Sequence, residues 1–206
     1  MAQQTLTVIG ADDPLGEAVV REALVRGLRV RATAPLPRRV PRLSPELEVL
    51  RAESGSQEEL EPAVRGADGV VLALTPQLVH YATMLATDAA IAAVRAMRAV
   101  GAQRLVGVSS TELSDSSRLW GPLRRRLHHG GLQDLRRLER LLAGSGLDWT
   151  VLRAGRTTDL LGTREQVVGS ALEQGDRTLP REDLARALVD QALAEGREPR
   201  ILTVTA

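Results

Sequence analysis

The chain has 206 residues, 43% hydrophobic and 26% charged, with a formal net charge of +1 and no cysteine. That size and balance suit one soluble globular domain, residues 1–206, with a substantial core. The near-neutral charge gives no reason to expect nucleic acid or an anionic membrane as a partner. The lack of cysteine excludes disulfides and thiolate chemistry, and no apolar run approaches the roughly 20 residues of a membrane helix.

Strand and helix signals alternate from the start. Residues 5–9 read as strand one and residues 15–26 as an amphipathic helix closed by Gly27. Strand two spans 28–33, and a loop with four prolines follows from 35 to 45. Residues 47–50 form strand three, 57–65 a helix, and 69–74 a fully apolar strand four. A long Ala-rich helix is predicted over 79–100, then strand five over 104–109, a helix over 131–143 and strand six over 147–153. A helix over 181–194 and a last strand over 201–205 complete the pattern. Apolar strands separated by helices predict a single-domain, Rossmann-like α/β fold: a doubly wound, mostly parallel sheet with helices on both faces. Ligands of such sheets bind at the carboxyl ends of the strands, where the strand order reverses. That rule gathers residues 10–16, 34–39, 75–81 and 109–115 around one crevice.

The segment Gly10-Ala-Asp-Asp-Pro-Leu-Gly16 joins strand one to its helix, the place where a dinucleotide's pyrophosphate sits. Gly10 permits the tight turn, and Gly16 lets the helix lie close to the sheet. Asp13 stands where backbone must touch phosphate, beside a second carboxylate, Asp12. A helix N-terminus favours an anion by about 0.3–1 kcal/mol at exposed sites. Three readings stay open: an aspartate that caps the helix itself, a loop that still binds a dinucleotide through other amides, and a carboxylate acting as a base or metal ligand. No His-rich or Asp-rich motif supports a metal. The N-terminal residues show no signal-peptide pattern, so the expectation is a cytoplasmic protein.

Other candidate chemistry lies along the same edge. His80 and Tyr81, at the start of the long helix, are placed to act as acid or base, or are simply a packed and an exposed pair. Ser109, Ser110 and Thr111 end strand five, where a Ser/Thr turn is the alternative reading. No histidine stands at a fixed spacing that would make either serine a nucleophile. Arg153 and Arg156 follow strand six, in a substrate-binding role or in a surface ion pair with Asp159.

The order of these segments resembles the atypical short-chain dehydrogenase/reductase superfamily, in its NmrA-like and biliverdin-IXβ/flavin reductase-like branch. The resemblance rests on the Gly10–Gly16 loop, Arg65-Gly-Ala-Asp-Gly-Val-Val71, Leu105-Val-Gly-Val-Ser-Ser110, residues 141–153 and Arg181-Glu-Asp-Leu-Ala185. Asp12 and Asp13 replace the family's Thr and middle Gly. Pro35 stands where an arginine often holds the NADP 2′-phosphate, with Arg38 and Arg39 close by. Leu135 replaces a lysine one turn before Glu139, and Arg153-Ala-Gly155 replaces Arg-Pro-Gly. There is no Tyr-x-x-x-Lys pair.

The resemblance implies NADP or NAD as cofactor, no metal, and a small-molecule substrate. Its cofactor-binding positions are Gly10, Ala11, Asp12, Asp13, Leu15, Gly16, Arg38, Arg39, Leu74 and Thr75. It also implies that a hydroxyl at Ser109, Ser110 or Thr111 contacts substrate or nicotinamide, and that Trp120, in the connection after strand five, borders the substrate pocket. Arg153 joins Thr111 and Trp120 as a substrate-binding candidate. Three functions follow. The first is an NAD(P)H-dependent reductase of a small, flat, poorly polar substrate, with Ser110 or a water supplying the proton. The second is a redox-silent cyclase, isomerase or dehydratase using Asp12, Asp13, His80 or Tyr81. The third is a non-catalytic sensor. A monomer and a homodimer remain equally open.

Overall fold

A computed structural model describes residues 3–77, 79–113, 126–163, 166–170, 178–194 and 200–205. The elements run β1 (Thr5–Ile9), α1 (Pro14–Val25), β2 (Arg29–Ala34), β3 (Leu47–Arg51), α2 (Gln57–Val64), β4 (Gly69–Leu72), α3 (Leu85–Val100) and β5 (Arg104–Ser110). They continue with α4 (His129–Ala143), β6 (Asp148–Ala154), β7 (Thr157–Thr158), β8 (Val167–Gly169), β9 (Leu179–Pro180), α5 (Arg181–Leu193) and β10 (Arg200–Thr205). Short 3-10 turns cover Pro37–Arg39 and Thr111–Leu113.

Eight strands form one sheet in the order β3-β2-β1-β4-β5-β6-β10-β8. All neighbours are parallel except β8, which runs antiparallel to β10. The order reverses between β1 and β4, so the loops after these strands part and leave a crevice there. Alternate side chains divide the sheet between two cores. Leu6, Val8, Val71 and Val106 pack with α1 and α5, through Val19, Val20, Leu184 and Leu188. Ile9, Val70, Leu72 and Leu105 pack with α2, α3 and α4, through Leu60, Met97, Leu138 and Leu142. Thr7, on the second face, satisfies its buried hydroxyl by donating to the Ala63 carbonyl at 2.7 Å. With no phenylalanine in the chain, small side chains fill the space. Ala89, Ala90, Ala92, Ala93 and Ala96 of α3 are all buried.

The fold is the expected doubly wound α/β sheet, with differences at element ends. β4 stops at Leu72, two residues short of the predicted end. α3 begins at Leu85, not at residue 79, so His80 and Tyr81 do not open a helix. The reason is a cap supplied from another element. Asp134 of α4 accepts hydrogen bonds from the amides of Ala86 and Thr87, each at 3.0 Å, and from the Thr87 hydroxyl at 2.5 Å. A helix start needs acceptors for its first amides, and here they arrive from 47 or 48 residues away. The small β7–β9 pair after β6 was not predicted. Among the described residues no helix is long and apolar enough to cross a membrane.

Replacing Asp134 with Ala orphans two amides, one of them fully buried, and leaves the Thr87 hydroxyl only the carbonyl of residue 134 at 3.2 Å. We expect a loss of about 3 kcal/mol of stability, read from the urea midpoint. A loss below about 1 kcal/mol would mean that water replaces the cap.

Candidate functional site

The β1–α1 loop is built around its own carboxylate. Gly10 carries a positive φ of 84°, and a Cβ there would lie 2.5 Å from Cδ2 of Leu74. A Cβ at Gly16 would lie 2.0 Å from the Gly10 carbonyl oxygen, so α1 and the loop touch at backbone distance. Asp13, with extended backbone, caps α1: its Oδ1 accepts from the Leu15 amide at 2.9 Å. The same carboxylate reaches across the crevice. Oδ1 accepts from the Thr75 hydroxyl at 2.5 Å, and Oδ2 accepts from the Thr75 amide at 3.2 Å. Asp12 is half-buried and makes no such bond.

This arrangement tests the loop against a dinucleotide. A pyrophosphate at a helix N-terminus is held by loop and first-turn amides. Pro14 has no amide hydrogen, and that of Leu15 goes to Asp13. The amide of Asp13 goes to the Gly10 carbonyl and that of Ala11 to the Thr33 carbonyl. The amides of Ala11, Asp13 and Leu15 are thus engaged, and a negative charge sits among them. With Asp13 so placed, the residues present do not fit a pyrophosphate at this terminus.

Beyond the loop lies a cavity of about 630 Å³ at the carboxyl ends of β4, β5 and β6. Leu15, Thr75, Ser109, Ser110 and Thr111 all line it, so the structure brings these five candidates together. Arg156, another candidate, shares the wall, as do Glu112 and His128. Glu112 is 8% exposed. Its amide donates to Oγ of Ser110 at 3.2 Å, and its Oε2 lies 2.7 Å from Nδ1 of His128. Oγ of Ser109 is buried with no hydrogen-bond partner among the described residues. No local sequence signal joins Glu112 to His128. They are 16 residues apart on either side of a long connection, and only the sheet edge unites them.

The other candidates lie elsewhere. Arg38 and Arg39 are exposed on the turn after β2. His80 and Tyr81 are exposed outside the cavity, their rings edge to face with centroids 5.5 Å apart. Arg153 points away from the cavity and forms two bonds to Glu139 of α4, Nε–Oε1 at 2.9 Å and Nη2–Oε2 at 2.7 Å. Hydrogen bonding to Glu139 raises the pKa of this guanidinium, against a smaller opposing effect of burial. The expected ion pair with Asp159 is made by Arg181 instead. Leu74 packs on Gly10 and lines a small side cavity. Trp120 falls outside the described residues.

The model of a family described as NAD(P)H-binding matches residues 10–195. No curated protein matches the chain. Among solved structures, a short-chain dehydrogenase/reductase from Veillonella parvula in complex with NADP superposes with a TM-score of 0.81 at 18% identity, covering 100% of this chain and 95% of that one. An oxidoreductase from Lactococcus lactis gives 0.78 at 13% identity, covering 98% and 90%. An anaerobillin reductase from Escherichia coli O157:H7 gives 0.75 at 16%, covering 98% and 97%. At these identities the likeness is one of fold.

The clasp formed by Asp13 is expected to be measurable in stability. Asp13→Ala removes a helix cap and two bonds to Thr75, and should cost about 1–2 kcal/mol in urea unfolding. Asp12→Ala should stay within about 0.5 kcal/mol. Equal losses would dismiss the special role of Asp13.

Proposed function

The chain belongs to the NAD(P)H-binding family, and within it we propose a member that has given up the dinucleotide and carries out redox-neutral chemistry on a small molecule in the crevice. The observation that carries this reading is the Asp13 carboxylate, held by the Leu15 amide and by both donors of Thr75. It puts a charge of the wrong sign where a pyrophosphate would bring two more. At an effective dielectric constant of about 20, like charges 4 Å apart repel by roughly 4 kcal/mol. The amides of Ala11, Asp13 and Leu15, which would offset that repulsion, are already engaged.

The cavity beside this clasp keeps the dimensions and chemistry of a small-molecule site. It offers hydroxyls at Ser109, Ser110 and Thr111, a carboxylate and an imidazole at Glu112 and His128, and apolar walls from Leu15, Val108 and Leu184. Isomerisation, cyclisation and dehydration need only such acid–base and hydrogen-bonding groups. The reductase reading is the second one. The NADP complex of the Veillonella parvula structure and the retained Gly10 and Gly16 favour it. It requires the Asp13 side chain to swing out of the seat.

Calorimetric titration with NADPH and NADH separates the two. We expect no binding by the wild-type protein at millimolar cofactor, and for Asp13→Gly a gain of at least about tenfold in affinity, equivalent to roughly 1.4 kcal/mol. Micromolar binding by the wild type would sink the redox-silent reading. Changing Arg38 and Arg39 together to Ala would then be expected to weaken NADPH more than NADH.

A further inference from the structure

Glu112 and His128 meet on the wall of the crevice, and the loop chemistry uses neither. Oε2 of Glu112 lies 2.7 Å from Nδ1 of His128, whose side chain is 29% exposed against 10% for Glu112. An ionised carboxylate only accepts, so Nδ1 carries the hydrogen of this bond, and in the neutral ring Nε2 keeps its lone pair. Backbone geometry holds both residues. The Glu112 amide is tied to Oγ of Ser110, and the His128 carbonyl accepts from the Leu132 amide at 2.9 Å at the start of α4. On the same wall Oγ of Ser109 is buried without a hydrogen-bond partner among the described residues. With Ser109 0% exposed, that hydroxyl does not reach a ligand, and Ser110 is the serine whose side chain follows Val106 and Val108 on the cavity face. The Ser110 hydroxyl accepts from Glu112 and keeps its own hydrogen to donate. No hydrogen bond joins either serine to His128, which argues against an activated serine nucleophile.

We propose that His128, oriented by Glu112, is the general base for an allylic proton shift in a small β,γ-unsaturated carbonyl compound, with Ser110 donating to its carbonyl oxygen. The proposal rests on the redox-neutral reading above. Nε2 takes a proton from the carbon between the carbonyl and the double bond. The C–H electron pair becomes the new C=C bond, and the carbonyl π pair moves to oxygen, where the Ser110 hydroxyl receives the charge. The imidazolium, stabilised by the Glu112 carboxylate, returns the proton to the far carbon of the dienolate. The oxygen pair re-forms the carbonyl, now conjugated. One proton and one double bond change places, with no oxidant, reductant or water consumed. Leu15, Val108 and Leu184 supply the apolar wall for the carbon skeleton.

The probe is the β,γ-unsaturated isomer of cyclohexenone. Its conversion to the conjugated isomer is followed by ultraviolet absorbance, and label uptake from deuterium oxide by mass spectrometry. Wild-type protein should accelerate conversion above buffer. His128→Gln should lower the catalysed rate roughly 100-fold and Glu112→Gln at least about tenfold. His129→Gln, an exposed neighbour, should leave it unchanged. His128→Asn repeats the test if the glutamine variant does not fold. Imidazole nitrogen NMR shifts should report the Nδ1-protonated tautomer in the wild type and a mixture in Glu112→Ala, which a purely structural glutamate would not produce. No conversion above buffer by the wild type, or full rate in a folded His128 variant, overturns the proposal. NADPH binding alongside His128-dependent conversion would remove the redox-silent reading and leave the acid–base pair standing.

Discussion

The start of a helix in a parallel sheet presents several amide hydrogens to a narrow crevice, and something negative must meet them. In this protein the chain meets that demand internally. Asp13 caps α1 and, with the same two oxygens, binds the backbone and side chain of Thr75 after β4. The clasp spans the point where strand order reverses. It fixes the relative position of the β1 and β4 loops, and Leu15 and Thr75 at its two ends both line the cavity. One carboxylate at the α1 terminus thus ties together two residues of the cavity wall.

With the phosphate seat filled, the chemically versatile groups that remain are gathered further along the sheet edge. Ser109, Ser110, Thr111 and Glu112 follow one another at the end of β5 and its turn, and His128 arrives at the foot of α4. Of the positively charged candidates after β6, Arg156 stays on the cavity wall. Arg153 is held by Glu139, and Arg181 by Asp159. No lysine exists anywhere in the chain to serve as a proton relay. The wall of the cavity presents an imidazole, a carboxylate, hydroxyls and the Arg156 side chain, groups suited to moving protons and receiving an oxyanion.

A second carboxylate, Asp134, performs for α3 what Asp13 performs for α1. It lies on a different helix, however, and joins α4 to α3 as well as capping. The long segment between β4 and α3, including His80 and Tyr81, is thereby held outside the helix. It packs against α4 at Gly130, where a Cβ would meet the Tyr81 carbonyl at 1.7 Å.

Local pattern was sufficient for the sheet and most of its helices, because burial on both faces makes each strand a continuous apolar run and each helix a periodic one. Val8, Val71 and Val106 could be placed in a parallel core from their neighbours alone. The helix-capping role of an aspartate before Pro14 was also legible as one reading, since a cap interacts within two residues of itself. What required the tertiary structure were the contacts between groups distant in sequence. The reach of Asp13 to Thr75, the capping of α3 by Asp134, the capture of Arg153 by Glu139 and the pairing of Glu112 with His128 span 62, 48, 14 and 16 residues. No periodicity encodes such pairs. They exist because the sheet brings the carboxyl ends of its strands to one edge, where short-range hydrogen bonding decides which groups are bound to each other and which still face the cavity.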